Sequence, residues 1–188
     1  ENYLLKNQII NEYPKLTRLL VDDYLSNSEI KKACEIFSKI EGTIQDDYLS
    51  KFNIYCLINS NKREEAQLLL DLMKELGFEE KFYENKINFL MGYSTSPNTE
   101  ISENTILDFH LSHRTNPQFK FEPGDSTSKQ IWKYLSTANL LDNIKDIELT
   151  DIDKIKSIEK ATHDKHYEER ELFELYKRFQ FNINQLLN

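Results

Sequence analysis

Ala33 and Phe37 recur, 33 residues later, as Ala66 and Leu70. In each copy a small residue stands four positions before a large apolar one, on a segment of helical periodicity that follows another such segment. This period is the signature of stacked helical hairpins, in which no unit buries its apolar face alone. The small side chain lets the two helices of a hairpin approach closely, and the large one fills the seam to the next hairpin. The feature constrains architecture; it names no chemistry.

Composition agrees with a helical, packed chain. Only 4 Gly and 4 Pro occur in 188 residues, and tight-turned strands use these residues where long helices avoid them. A hydrophobic content of 39% supports a core, and charged residues, at 30% and mixed in sign, read as a soluble surface. The net charge of −8 and the lack of a basic stripe argue against nucleic acid, whose phosphates demand clustered Lys and Arg. No apolar run approaches the roughly 18 residues of a membrane span. The chain opens on Glu1 without a signal-peptide pattern. The expectation is a cytoplasmic protein, with a processed or exported one as the alternative, and a piece of a longer solenoid is the preferred reading of that first residue.

Along the chain, helical patterns are predicted at about 3–12, 14–26, 29–40, 44–58, 62–76 and 79–92. Pro14 suits a first helical turn, and Gly42 and Gly77 read as C-terminal stops. Leu16, Leu19, Leu20 and Leu25 form the apolar side of the second pattern. In the fifth, Ala66, Leu69, Leu70, Met73 and Leu76 share one face while Leu68 and Leu72 lie off it, which predicts a helix packed on two sides. A polar loop at 93–102 divides the expected hairpin part, 1–92, from a helical C-terminal part, 103–188, the two being readable also as one continuous domain. The C-terminal part holds helical patterns at about 103–113, 127–141, 151–161 and 165–187, a capping box at Thr150 and Asp153, and a brief extended stretch at Phe119 and Phe121. The last helix carries a stripe of Leu172, Leu175, Tyr176, Phe179, Ile183 and Leu186, with Phe181 and Leu187 partly off it. That stripe needs a cover: the chain's own earlier helices, or a second copy in a homodimer.

In the order Leu20, Tyr24, Ala33, Phe37 the first unit resembles a tetratricopeptide (TPR) repeat. The second copy runs Asn53, Leu57, Ala66, Leu70. Thr17 and Val21 replace the usual Trp and Gly, and no Pro closes either unit, so the resemblance covers about residues 14–76. It implies a right-handed array whose first helices line a concave, ligand-binding groove. Carried over by position, that groove holds Lys15, Arg18, Asp22, Tyr48, Lys51 and Tyr55. Some members of the family grip a partner's C-terminal carboxylate with Lys and Asn; here Asp22 and Tyr55 stand where Asn is wanted, and the clamp does not transfer. The competing reading makes the two tyrosines core and the charges a solvated face.

Chemical motifs are sparse. Two HxxH pairs, His110 with His113 and His163 with His166, use all four histidines. At i and i+3 on a helix each pair could offer two imidazoles to one metal, with Asp108 and Glu168 as oxygen ligands. The HExxH spacing of zinc peptidases is absent, and His110, on the apolar side of its helix, reads first as a hydrogen-bonded core residue. The acidic run 142–153 lacks the turn Gly and closing Glu of a calcium loop. No phosphate-binding loop or nucleophile elbow is present. Cys34 and Cys56 read as two buried reduced thiols, with a bridge between adjacent helices as the alternative and a catalytic thiol last.

The sequence therefore predicts an all-α fold: a short TPR-like α-solenoid of helical hairpins with an irregular helical C-terminal part. The expected function is a non-catalytic scaffold or adaptor that binds a protein or peptide segment without a cofactor. A helical metal-binding protein or metal-dependent enzyme using the paired histidines is the alternative, and a purely structural segment of a larger solenoid is a third reading.

Overall fold

The computed structural model describes residues 10–38, 43–124, 126–141, 147–165 and 167–179. Among them every regular element is an α-helix and none is a strand. The helices are α1 (Pro14–Ser26), α2 (Ile30–Glu35), α3 (Asp47–Asn59), α4 (Arg63–Glu75), α5 (Lys81–Met91), α6 (Ile106–Thr115), α7 (Lys129–Thr137), α8 (Ile152–His163) and α9 (Glu169–Tyr176). The expected extended stretch at Phe119 and Phe121 is loop. The chain divides into two compact units, 1–119 and 120–188. Helix α6, which the sequence grouped with the C-terminal part, packs against α1 and α5 of the first unit.

Local chemistry sets the helix ends. Pro14 opens α1, where its missing N–H costs nothing. The carboxylate of Asp46 accepts the Leu49 N–H at 3.1 Å and caps α3. Thr105 caps α6 and Ser128 caps α7 in the same way. At α8 the cap is Asp151, whose carboxylate accepts the Lys154 N–H at 3.1 Å, and not the expected pairing of Thr150 with Asp153. Gly77 and Gly92, at φ +94° and +85°, follow α4 and α5, and there the left-handed backbone carries no Cβ penalty.

In the first unit α1 packs on α2 and α3 packs on α4. Both alanines are fully buried, with Val21, Leu25, Leu49, Phe52, Ile54 and Leu70 around the same core. The helices α1, α3 and α5 adjoin in turn. Cys34 on α2 and Cys56 on α3 are bonded as a disulfide across 5.4 Å between their Cα atoms. The expectation of two reduced thiols is thereby corrected: the bond joins α2 of one helix pair to α3 of the next, and the bridge weighed as the alternative is the arrangement found. The apolar side assigned to α1 is corrected too. Thr17, Val21, Tyr24 and Leu25 face inward, while Leu16 and Leu19 are exposed.

The second unit has its own core of Trp132, Ile147, Ile155, Ile158, Ala161, Tyr167 and Leu175. Leu172 and Phe179 of the C-terminal stripe pack against it, and the Tyr176 hydroxyl donates to Glu159 of α8 at 2.6 Å. As far as the stripe is described, the chain's own helices cover it. Phe181, Ile183, Leu186 and Leu187 lie outside the described residues, as do residues 3–9 of the first expected helix and Gly42. No described helix is long and apolar enough to cross a membrane.

Candidate functional site

Helical spacing puts Lys15, Arg18 and Asp22 on one side of α1 and Tyr48, Lys51 and Tyr55 on one side of α3. The structure brings three of these six, Arg18, Asp22 and Tyr48, into contact with one another. The Arg18 guanidinium pairs with Asp46 at 2.8 Å and lies 5.3 Å from the centre of the Tyr48 ring. The Tyr48 hydroxyl donates to Asp22, and burial, reinforced by that carboxylate, raises the phenol's pKa. Lys51, buried, pairs with Glu80 at 2.9 Å and stands 3.9 Å from Asp108. The Tyr83 hydroxyl donates to the Lys51 carbonyl at 2.7 Å. Tyr55 meets the Nε2 of His110 at 2.7 Å. Lys15 is exposed.

Lys51 and Tyr55 therefore face the chain's own helix α6 rather than an open groove. That helix is buried at Ile106, Leu107, Asp108, Phe109, His110, Leu111, Ser112 and Thr115. A helix buried on almost every side needs neighbours all round, and α1 and α5 supply them. The segment leading into α6 is held by Lys86, whose ammonium donates to the Asn98 carbonyl at 2.9 Å and the Glu100 carbonyl at 2.6 Å. Burial lowers the Lys86 pKa to about 8, with Glu100 opposing. Asp108 is raised by the same cause, Lys51 opposing, and its Oδ1 accepts no hydrogen bond.

The histidines do not converge. His110 is buried against Tyr55, ring to ring at 5.0 Å; burial first, then the Arg114 and His113 charges, bring its pKa down to about 3. His113 lies half-buried, 5.1 Å from the Phe119 ring. His163 is exposed beside Asp164 at 3.5 Å, and His166 lies outside the described residues. Among the described residues no group of three or more His, Cys, Asp and Glu side chains is placed to hold a metal ion.

The outward side of α4 has a different character. Ala66 and Leu70 point inward, and the side carrying Leu68 and Leu72, expected to pack, is open: Leu68, Leu72 and Leu76 are 70%, 37% and 80% exposed. At i, i+4 and i+8 these leucines form one stripe. On one flank stands a groove of about 420 Å³, bounded by Phe37, the Cys34–Cys56 bridge, Leu57, Leu68 and Leu69. On the other flank Glu64, Asp71 and Glu75, all exposed, follow one another at seven and four residues. No basic side chain pairs with any of these three among the described residues; Lys62 pairs with Glu65 and Lys74 with Glu84. The signal in the sequence was the off-face position of Leu68 and Leu72. Whether such residues meet another helix depends on the path of the chain after α5, which turns into α6.

Compared with known proteins, the chain matches no family model, no curated protein and no solved structure.

Proposed function

We propose that this protein is a non-catalytic scaffold or adaptor of TPR-like helical hairpins that binds a protein segment along the outward side of α4. The observation that carries the reading is the stripe of Leu68, Leu72 and Leu76 beside a groove whose apolar lining, Phe37, Leu57 and Leu69, is mixed with Asn53, Ser60 and the Lys62–Glu65 ion pair. A large buried aliphatic side chain is worth about 1.5–3 kcal/mol over an exposed one, and a row of them next to a groove is the form in which helix-in-groove recognition is built. The face formed by α1, α3 and α5 serves instead as the seat of α6. The disulfide between α2 and α3 favours work in an oxidising compartment over the cytoplasm.

Selection of displayed helical peptides on the whole chain tests the reading. Peptides recovered on the unaltered protein should lose binding when Leu68→Glu and Leu72→Glu are introduced together. Failure to recover any peptide, or recovery of peptides indifferent to the two changes, would remove it.

A further inference from the structure

The two flanks of the leucine stripe differ, and the difference specifies a partner. A helix laid along Leu68, Leu72 and Leu76 meets the groove and Leu69 on one side and the carboxylates of Glu64, Asp71 and Glu75 on the other. The three carboxylates are spaced as a helical flank, so they run parallel to the stripe. No basic group of the described chain neutralises them. A second copy of this chain is a poor occupant: laid antiparallel, two such surfaces set carboxylates near carboxylates, and in any arrangement each chain brings a net charge of −8.

Resting on the reading of α4 as a protein-binding surface, we infer that its partner is a basic amphipathic helix whose leucine-type face covers the stripe and whose Lys or Arg residues lie along the acidic flank. Apolar burial supplies most of the affinity; the charges orient the helix and exclude acidic competitors. Rim ion pairs are each weak, so the charge preference is moderate and salt-sensitive.

Three labelled peptides of about three heptads, identical on a leucine face and carrying Lys, Gln or Glu on both flanks, separate the contributions by fluorescence anisotropy on the whole chain. The Lys peptide is expected to bind about tenfold tighter than the Gln peptide, to weaken as salt rises, and to outbind the Glu peptide further still. Changing Glu64→Lys, Asp71→Lys and Glu75→Lys together should reverse the order. The variant Leu68→Glu with Leu72→Glu distinguishes a site from general attraction: it adds negative charge yet should weaken the Lys peptide. Stronger binding in that variant would mean diffuse electrostatics and overturn the inference. Equal binding of all three peptides, lost in the leucine variant, would overturn the charge preference and leave the protein-binding surface standing. No binding of any peptide would overturn both. Self-association by light scattering that Leu72→Glu abolishes would make the occupant a second copy and overturn the basic partner.

Discussion

Buried polar residues decide what the first unit does with its inner face. Lys51, Tyr55, Asp108 and His110 are polar groups far from water, and each is tolerable only because a partner across the α3–α6 boundary answers it. Asp108 gains Lys51 at 3.9 Å but leaves one oxygen without a hydrogen bond, so this boundary specifies how α6 seats more than it adds stability. His110 makes that seating sensitive to acid. Its folded pKa, about 3, lies below the roughly 6.5 of an unfolded chain. Below about pH 6.5 the unfolded chain takes up a proton that the folded one refuses. The stability tied to the neutral imidazole is therefore fully present above that pH and is lost as pH falls toward about 3, at up to roughly 1.4 kcal/mol per pH unit. Urea unfolding between about pH 7.5 and 4.5 should show a steeper loss for the unaltered protein than for His110→Gln, which can still bond to Tyr55 but cannot titrate. Parallel slopes would show that the imidazole is not the group responsible.

Helices were the most legible level. The boundaries of α1, α4 and α5 follow from Pro14, Gly77 and Gly92 and from apolar spacing, all of which are local signals. The burial of Ala33 and Ala66 was legible too, because each stands four residues before a large apolar residue, Phe37 or Leu70, on the same helical face. What could not be read locally was the path of the chain. Helix α6 is polar enough at Asp108, His110, Ser112 and Thr115 to pass as a half-exposed element, yet it is enclosed, since its polar groups bond inside the fold. Seating α6 against α1 and α5 is what turned Lys51 and Tyr55 from a groove into an interior. The outward side of α4 was mis-sorted for the same reason, as exposure depends on which helix comes next. The alanines give a direct test at this scale. At Ala33 or Ala66 a leucine would force extra volume into a site with no exposed surface, and should cost about 1–3 kcal/mol. Leu68→Gln on the open side of α4, the helix of Ala66, should change stability by less than about 0.5 kcal/mol. Equal effects in denaturant melts would mean that α4 does not face inward through Ala66.

The whole molecule carries two cores of unequal means. The first unit packs Leu25, Leu49, Phe52, Tyr83, Ile87, Phe109 and other fully buried side chains, and adds a disulfide whose ends lie 22 residues apart. By loop-closure entropy a bridge of that span is worth about 3 kcal/mol. The second unit, 120–188, has no cysteine; its described buried apolar residues are the cluster of Trp132, Ile147, Ile155, Ile158, Ala161, Tyr167 and Leu175, with Ile131, Tyr134 and Leu135 of α7 buried besides. Below about 70 residues one apolar core supplies only about 3–5 kcal/mol. The lone tryptophan, Trp132, sits in that second core, so its fluorescence reports the second unit, whereas far-ultraviolet circular dichroism reports the helices of both. Under oxidising conditions the two signals should not coincide: the tryptophan transition should fall at lower denaturant, and the dichroism curve should continue to a second, higher midpoint. Reduction of Cys34–Cys56 should draw the higher midpoint down and leave the tryptophan transition in place. A single coincident transition, shifting as one on reduction, would mean that the two units unfold together and that the weaker core is held by the stronger.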